Sequence, residues 1–321
     1  MYTVQSVRNT GAGAIEMLEV SPRDGLQNEK QAISTADKLA LIGHAIAAGS
    51  RRIEVTSFVN PRAVPQMADA EDVCAGLPAR DDVTFIGLVM NRRGAERALA
   101  TGRIDQLGAV SVATDSFAMR NQGQTSDGSV EAAKEIITLA REAGKTAQAT
   151  IAASFGCPFE GEVADDRVIA MATSIAEAGP VEIALADTIG VGNPAHVTRL
   201  VERLRAELPD LPVRVHFHNT RGTGLANVWA AVQAGARTVD ASLGGLGGCP
   251  FAPGAAGNVA TEDVTYMLER AGIATGLDQP KLAAANRWLD EIMDRPLSAM
   301  VAKAGPFPAA QSDETHEKEA V

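Results

Sequence analysis

The chain has 321 residues, a formal net charge of −11 and three cysteines, with a sequence pI near 5.0. This acidic balance argues against nucleic acid or an anionic membrane surface as the main partner. An odd number of cysteines in a chain this long does not make a disulfide framework, which fits a reducing cytoplasm. No apolar run reaches the roughly 18 residues of a membrane-spanning helix, and the N-terminal residues do not resemble a signal or transit peptide.

Short apolar runs rich in β-branched residues alternate with longer segments of helical period. With 45% hydrophobic but only 4% aromatic residues, we expect Ala, Val, Ile and Leu to fill the core. Strands are predicted over residues 15–20, 52–56, 83–89, 107–113, 146–153, 181–186, 213–220 and 237–243. Helices are predicted over 35–48, 66–77, 93–100, 129–142 and 165–178, from 194, up to 234, over 261–271, and as an extra helix over 280–293.

Eight strand–helix units without a long break in composition predict an α/β fold, a single (β/α)₈ TIM barrel, over residues 1–310. A doubly wound sheet is the alternative, but no G-x-G-x-x-G motif opens a strand–helix turn to support it. The segment 311–321 is charged and lacks an apolar stripe, so we expect a disordered C-terminal tail.

The seventh strand carries two histidines at its end, in the stretch VRVHFHNT over residues 213–220. Residues two apart on a strand face the same side, so His216 and His218 project together. Two neighbouring imidazoles are half of a divalent metal site; two hydrogen-bonded core histidines are the alternative. In a barrel the missing ligands would come from the loops that follow the other strands.

Asp24 after the first strand and Asn258 after the eighth complete a mixed oxygen and nitrogen set with His216 and His218. Such a set suits Mg²⁺ or Mn²⁺, with Zn²⁺ as a further alternative. A bound dication would act as a Lewis acid on a hydroxyl or carbonyl oxygen. Structural roles are also open, since Asp24 can cap a turn and Asn258 can cap the following helix.

Three further residues are candidates for the chemistry. Arg23 places a positive charge beside Asp24 and could stabilise an enolate oxygen, or form a rim salt bridge. Glu54 lies on the second strand in an apolar setting and is predicted to hold Arg23 or another barrel group in place. Cys249 follows a glycine-rich loop that can carry its thiol over a ligand, where it could act as a general acid–base. Cys74 and Cys157 are predicted to be structural.

Several motifs together resemble the 3-hydroxy-3-methylglutaryl-CoA lyase family, from the superfamily that includes isopropylmalate and homocitrate synthases. The resemblance spans roughly residues 15–276. It rests on VSPRDGLQNEK at 20–30, TSFV at 56–59, GCPFEG at 156–161, DTIGVG at 187–192, and the segment 244–267 with its GLGGCPF core. Long motifs in a fixed order are far more specific than a lone H-x-H.

The resemblance implies a metal-dependent retro-Claisen cleavage of a 3-hydroxyacyl-CoA to acetyl-CoA and a 3-oxo acid, with a place in leucine degradation. By resemblance, Asp24, His216, His218 and Asn258 bind Mg²⁺ or Mn²⁺. The implied catalytic residues are Arg23, Cys249, Asp24, Glu54 and His216, and the implied substrate contacts are Arg23, Gln27, Thr188 and Arg221. For the CoA phosphates Lys30, Arg92 and Arg93 are candidates, although solvated surface charge is equally consistent with them. A homodimer is expected by analogy with the family.

Two residues depart from the family pattern, which has Asp-Thr-Tyr-Gly where this chain has Asn219-Thr220-Arg221-Gly222. The loss of an acid beside the metal histidines could change metal affinity, and Arg221 could pair with a different substrate carboxylate. A lyase for citramalyl-CoA or a longer branched 3-hydroxyacyl-CoA is therefore an alternative. A condensing synthase or aldolase of the same superfamily is another, and a non-catalytic acyl-CoA-binding barrel is the third.

Overall fold

Eight parallel strands close into a barrel in the computed structural model, which describes residues 13–248 and 257–308. Each strand pairs with the next in the chain, and the last pairs with the first, so the predicted (β/α)₈ barrel is confirmed. The strands are β1 (Glu16–Glu19), β2 (Arg52–Ser57), β3 (Thr84–Val89), β4 (Gln106–Val112), β5 (Thr146–Ala152), β6 (Ile183–Asp187), β7 (Val213–Phe217) and β8 (Thr238–Ala241).

Helices surround the barrel, and side chains cap the N-termini of five of the described ones, α1, α3, α5, α7 and α10. Ser34 Oγ accepts the N–H of Asp37 at 3.1 Å, and Asn193 Oδ1 accepts that of His196 at 3.1 Å, as expected for these capping residues. The helices are α1 (Thr35–Ala47), α2 (Ala70–Gly76), α3 (Arg92–Ala100), α4 (Asp115–Gln122), α5 (Ser126–Glu142), α6 (Asp165–Ala176), α7 (Pro194–Glu207), α8 (Gly224–Ala234), α9 (Thr261–Arg270), α10 (Gln279–Ile292) and α11 (Met300–Ala304).

Helix α4 was not expected from the sequence, which predicted a loop between β4 and residue 129. Of its residues only Phe117 and Ala118 are buried, so no apolar stripe marks it in the sequence. The helix ends at Gly123, whose φ of 70° lies in the left-handed region that glycine adopts readily. Its position after β4 brings Phe117 to the mouth of the barrel.

The apolar core lies mainly between the strands and the helices, where small and branched aliphatic side chains such as Ile42 and Ile53 pack together. The inside of the barrel is largely polar at the end where the strands begin. There Arg52 Nη2 donates to Gln106 at 2.9 Å, to Gln148 at 2.8 Å and to Glu182 at 2.6 Å. These contacts fill the inside of the barrel at that end with paired polar groups.

Within residues 13–248 and 257–308, no helix has the length and apolar character needed to cross a membrane. The N-terminal end of the predicted domain 1–310, its last two residues and the predicted disordered tail 311–321 lie outside the described residues. Those boundaries stay predictions.

Candidate metal centre and active site

The chain turns widely directly after β1 and carries Arg23 and Asp24 over the barrel mouth. Residues Ser21–Gly25 form one turn of π-helix, in which Val20 O accepts the N–H of Asp24 at 2.8 Å and that of Gly25 at 3.2 Å. Single π-helical turns are rare and occur frequently at functional sites. Pro22 favours the start of this turn because its missing N–H is not needed there.

His216 and His218 face the same side of β7, as the period of two predicts, with their ring centroids 5.3 Å apart. The Nε2 atom of each ring lies 3.9 Å from Asp24 Oδ2. The predicted carboxylate and both imidazoles thus meet at one point, although β1 and β7 are distant in sequence.

These three side chains are spaced to hold a divalent metal. One ligand atom from each lies within 4.8 Å of the others. Two metal–ligand bonds of about 2.1 Å can span up to about 4.2 Å, which covers the 3.9 Å separations from Asp24. A carboxylate oxygen with two imidazole nitrogens is a donor set that Mg²⁺, Mn²⁺ and Zn²⁺ all accept. The residues present therefore fit the implied group.

The electrostatics of Asp24 and His218 also suit a cation, while, against the effect of burial, Asp240 and Asp24 raise the pKa of His216. Burial alone would raise the pKa of Asp24, but Arg23 and the two histidines outweigh it and hold that pKa below its usual range. Burial, with the neighbouring charge of His216, lowers the pKa of His218 to about 4, so its ring is neutral at pH 7. An ionised carboxylate and a neutral imidazole are the forms that bind metals.

Asp240 on β8 orients His216. Its Oδ2 atom lies 3.2 Å from His216 Nδ1, which leaves Nε2 to face Asp24. Asp240 in turn accepts the N–H of Arg214 Nη1 at 2.5 Å. A carboxylate behind a histidine fixes its tautomer and raises its basicity toward a metal. The sequence prediction missed this residue because Asp240 lies within a strand and not in the loop after it.

Arg23 links the metal cluster to Glu54. Its Nη1 donates to Asp24 at 2.5 Å, and its Nε donates to Glu54 Oε1. Glu54 is buried on β2 and touches Arg23 as anticipated, while its catalytic role stays a prediction. The two carboxylates fix the guanidinium at the edge of a cavity inside the barrel mouth.

A cavity of about 200 Å³ opens beneath the cluster inside the barrel mouth. Gln27 and Thr188, two of the predicted substrate contacts, line it together with Arg23. The other described lining residues are Asp24, Asn28, Glu54, Leu88, Met90, Val110, Phe117, Asn121, Thr150, Ala152, Ala186, Arg214, His216, His218 and Asp240. The lining residues that were not predicted for the site lie within strands, in α4, in the loop after β3 and, for Asn28, in the loop after β1.

Arg221 is not among the described residues that line this cavity, so its predicted substrate contact is not seen. Its Nη1 donates to the carbonyls of Ile189 at 2.7 Å and Gly190 at 3.1 Å, in the loop after β6. Asn219 Oδ1 accepts the N–H of Gly224 at 3.0 Å, at the start of α8. Both departures from the family pattern therefore make local loop and helix contacts in this chain.

Asn258 meets the cluster from the other side. Its Nδ2 donates to Asp24 Oδ2 at 2.8 Å and to Leu246 O at 3.2 Å. A ligand role for Asn258 would need the amide oxygen to face the ion, which a half-turn of the amide supplies, and this role stays a prediction.

Cys249 lies outside the described residues. The residues flanking its loop touch, since a methyl group added at Gly257 would lie 1.0 Å from Gly247 O.

The other two cysteines are buried, as expected for structural residues. Burial raises the pKa of Cys74 to about 11, so its thiol is protonated at neutral pH. Cys157 Sγ accepts a hydrogen bond from Thr114 Oγ1 at 3.0 Å.

Glu262 supports the base of the loop after β8 and should make the stability of the fold depend on pH. Both of its carboxylate oxygens accept the N–H of Gly244 at 3.0 Å, and burial raises its pKa from 4.5 to about 8. The folded chain keeps this proton over a range in which the unfolded chain has released it. Stability contributed by the protonated group is therefore lost as the pH rises through this window.

We expect the free energy of unfolding to fall by about 3 kcal/mol more in the parent chain than in Glu262→Gln between about pH 5 and pH 8.5. Urea unfolding at the two pH values measures this difference. Glu291→Gln, which removes an exposed glutamate of α10, should keep the parent's pH dependence. Equal dependence in all three proteins would show that Glu262 is not its source.

Comparison with known proteins agrees with this geometry. The chain matches the HMGL-like family over residues 14–289. It is 42% identical to the (R)-citramalyl-CoA lyase of Chloroflexus aurantiacus, over 91% of this chain and 95% of that one. It is also 42% identical to a hydroxymethylglutaryl-CoA lyase of Bacillus subtilis, over 88% of this chain and 94% of that one.

A solved HMG-CoA lyase from Acinetobacter baumannii, in complex with coenzyme A and 3-methylmalate, has the same fold. It is 39% identical with a TM-score of 0.87, and the alignment covers 93% of this chain and 99% of the other. Similarity of this extent covers the barrel and the cluster at its mouth. The chain therefore belongs to the hydroxymethylglutaryl-CoA lyase family and is a carbon–carbon lyase.

Proposed function

We propose that this protein cleaves a 3-hydroxy-3-methylglutaryl-CoA-type substrate to acetyl-CoA and a 3-oxo acid, acetoacetate for the parent substrate. The observation that carries the proposal is the meeting of Asp24, His216 and His218 above a cavity, with Arg23 fixed beside them. Curated relatives with this activity share about two fifths of the sequence over nearly the whole barrel.

In the retro-Claisen step, the bond between C2 and C3 of the acyl group breaks. The C3 hydroxyl loses its proton and becomes the ketone of the 3-oxo acid, while the bonding electrons pass to C2 and the thioester oxygen as an enolate. A dication held by Asp24, His216, His218 and Asn258 would supply Lewis-acid polarisation of the substrate oxygens. Mg²⁺ and Mn²⁺ are the ions that we propose.

Arg23 would stabilise the enolate oxygen, because its guanidinium is held at the cavity edge by Asp24 and Glu54 before the charge develops. The enolate then takes a proton at C2 to become acetyl-CoA. Cys249 is the residue that we propose for this proton transfer. The glycine-rich sequence before Cys249 is of the kind that can carry a thiol to a bound substrate.

A groove of about 780 Å³ adjoins the cavity and shares Gln27, Met90 and Asn121 with it. Arg62, Arg93 and Arg97 line this groove. Arg62 and Arg93 could meet the phosphates of CoA, whereas Arg97 is paired with Glu71. Arg93 was a candidate from the sequence, whereas Arg92 is paired with Glu96 and Glu135 on the surface. We propose that the CoA arm leaves the cavity through this groove.

Cleavage of citramalyl-CoA to acetyl-CoA and pyruvate is the second candidate function, because one 42% identical relative is an (R)-citramalyl-CoA lyase. The two substrates differ in the distance of the free carboxylate from C3, which a cavity of fixed shape can distinguish. The carboxylate of citramalyl-CoA is bonded directly to C3, and that of hydroxymethylglutaryl-CoA lies one methylene further away.

A substrate panel with Mg²⁺ tests the proposal. We expect the purified chain to release acetyl-CoA from hydroxymethylglutaryl-CoA faster than from citramalyl-CoA or a longer branched homologue, and to lose activity when the metal is chelated. Higher kcat/KM for citramalyl-CoA would favour the second function. Release of acetyl-CoA from none of them would contradict the lyase proposal for this substrate class.

We also propose that the bound ion is Mg²⁺ or Mn²⁺, that the protein is cytoplasmic, that it acts in leucine degradation and that it forms a homodimer. The proposal of Mg²⁺ or Mn²⁺ rests on the oxygen ligands that Asp24 and Asn258 would supply, since carboxylate and carbonyl oxygens suit these ions.

A further inference from the structure

The floor of the catalytic cavity carries a second guanidinium group, which the proposed mechanism does not use. Arg214 lies on β7 two residues before His216, so it faces the same side one layer deeper in the barrel. Through Ala184 of β6, Arg214 lies level with Thr150 of β5. Both Arg214 and Thr150 line the cavity.

Among the described contacts, these two residues keep hydrogen-bond donors for a ligand. Arg214 Nη1 donates to Asp240 at 2.5 Å and Nη2 donates to Thr150 Oγ1 at 2.7 Å. Each Nη nitrogen carries two N–H groups, so each keeps one. Thr150 Oγ1 is the acceptor in its contact with Arg214, so its own O–H can donate into the cavity. Converging donors on a guanidinium fork suit a carboxylate.

The side chains above this floor leave it accessible. Ala152 and Ala186 line the cavity at the level of His216 and are small, while Leu88 and Val110 give the wall an apolar surface. A methyl substituent fits such a wall, whereas a carboxylate does not and would be directed to the polar floor.

The charges that line the cavity favour the same arrangement. The described lining holds the carboxylates of Asp24, Glu54 and Asp240 and the guanidinium groups of Arg23 and Arg214. Glu182 also lies 3.1 Å from Arg214 Nε, and Arg52 balances its charge at 2.6 Å. With a bound dication the lining set therefore carries one net positive charge when both histidines are neutral. An acyl group with a single carboxylate restores neutrality, and without Arg214 it would leave an excess negative charge.

We propose that Thr150 and Arg214 form the subsite that binds the free carboxylate of the acyl group. This subsite rests on the proposed lyase function. It lies two residues, about 6–7 Å along the strand, below His216. It therefore favours a carboxylate one methylene from C3 over one bonded directly to C3.

The test compares the dissociation constants of two non-methylated acyl-CoA analogues, measured by calorimetry with Mg²⁺. 3-Hydroxyglutaryl-CoA carries the carboxylate and 3-hydroxybutyryl-CoA lacks it, so the ratio of the two constants isolates its contribution. We expect Thr150→Val to reduce this ratio about tenfold and Arg214→Gln about a hundredfold. Thr146→Val, at the opposite end of β5 where Thr146 Oγ1 accepts a hydrogen bond from Gln106, is the matched control and should leave the ratio unchanged.

Mn²⁺ affinity and kcat/KM for hydroxymethylglutaryl-CoA are measured on the same proteins. Thr150→Val should keep the parent's Mn²⁺ affinity. If Thr150→Val and Arg214→Gln both leave the ratio of the two dissociation constants unchanged, the proposed subsite is wrong. The same holds if Arg214→Gln weakens Mn²⁺ binding through Asp240 but does not change this ratio. If the parent chain fails to cleave hydroxymethylglutaryl-CoA but Thr150→Val and Arg214→Gln still lower the ratio, the proposed function fails while the carboxylate subsite stands.

Discussion

His218→Ala is expected to abolish metal-dependent cleavage. The ring is buried, its Nε2 faces Asp24 Oδ2 at 3.9 Å, and burial keeps it neutral at pH 7. Loss of a residue that only orients a ligand costs about 10–100-fold in metal affinity, so loss of a ligand should cost more than about 100-fold. Titration with Mn²⁺ measures the affinity, and acetyl-CoA release measures the cleavage.

His218 is a better target than His216 for this test because its removal leaves the contacts among Asp240, Arg214 and Thr150 in place. His44→Ala supplies the control, since His44 lies on α1 and packs against Trp288. We expect that variant to bind Mn²⁺ like the parent. A His218→Ala protein that binds Mn²⁺ and turns over normally would contradict the assignment of the ligands.

The fold could be predicted because apolar, β-branched strand runs and longer segments of helical period alternate visibly along the sequence. Runs such as residues 146–153 and 181–186 are apolar and β-branched, as expected of parallel strands covered on both faces. Their bounds differ from the observed strands by one or two residues, which is where strand ends depend on loop contacts. Helix α4 was missed for the opposite reason, because two buried residues do not make a recognisable stripe.

The metal cluster was also predictable, since H-x-H at a strand end and Asp24 in a polar loop are both chemically conspicuous. The residues behind it were not. Asp240, Thr150 and Arg214 lie within strands, where a polar residue has the same place in the pattern as one that faces solvent. Only the register of β5 to β8 shows where these residues lie inside the barrel: Asp240 is level with His216, while Thr150 and Arg214 lie two residues below it.

Arg221 illustrates a different limit. From the sequence, a charged residue three positions after His218 was expected to contact the acyl group. Its guanidinium donates to two carbonyls of the loop after β6, and its contact with the acyl group stays a prediction. Loop-to-loop contacts of this kind depend on tertiary packing and leave no periodic signal in the sequence.

Arg23→Gln is expected to lower kcat/KM by about 10³-fold while leaving Mn²⁺ affinity unchanged or tighter. The guanidinium supplies a positive charge where the enolate oxygen forms, so its loss removes stabilisation of the transition state. The same charge repels a dication at Asp24, whose carboxylate Arg23 contacts at 2.5 Å. Removal of that charge therefore acts on catalysis and on metal binding in opposite directions.

A fall in kcat/KM without a fall in Mn²⁺ affinity distinguishes the role of Arg23 from that of a metal ligand or a structural support. A parallel fall in Mn²⁺ affinity and turnover would mean that Arg23 acts only by holding Asp24 and Glu54 in position. Arg80→Gln, which removes an exposed arginine paired with Asp82, should change neither quantity. Since Arg23 contacts both Asp24 and Glu54, circular dichroism must also show that the variant is folded before the two effects are compared.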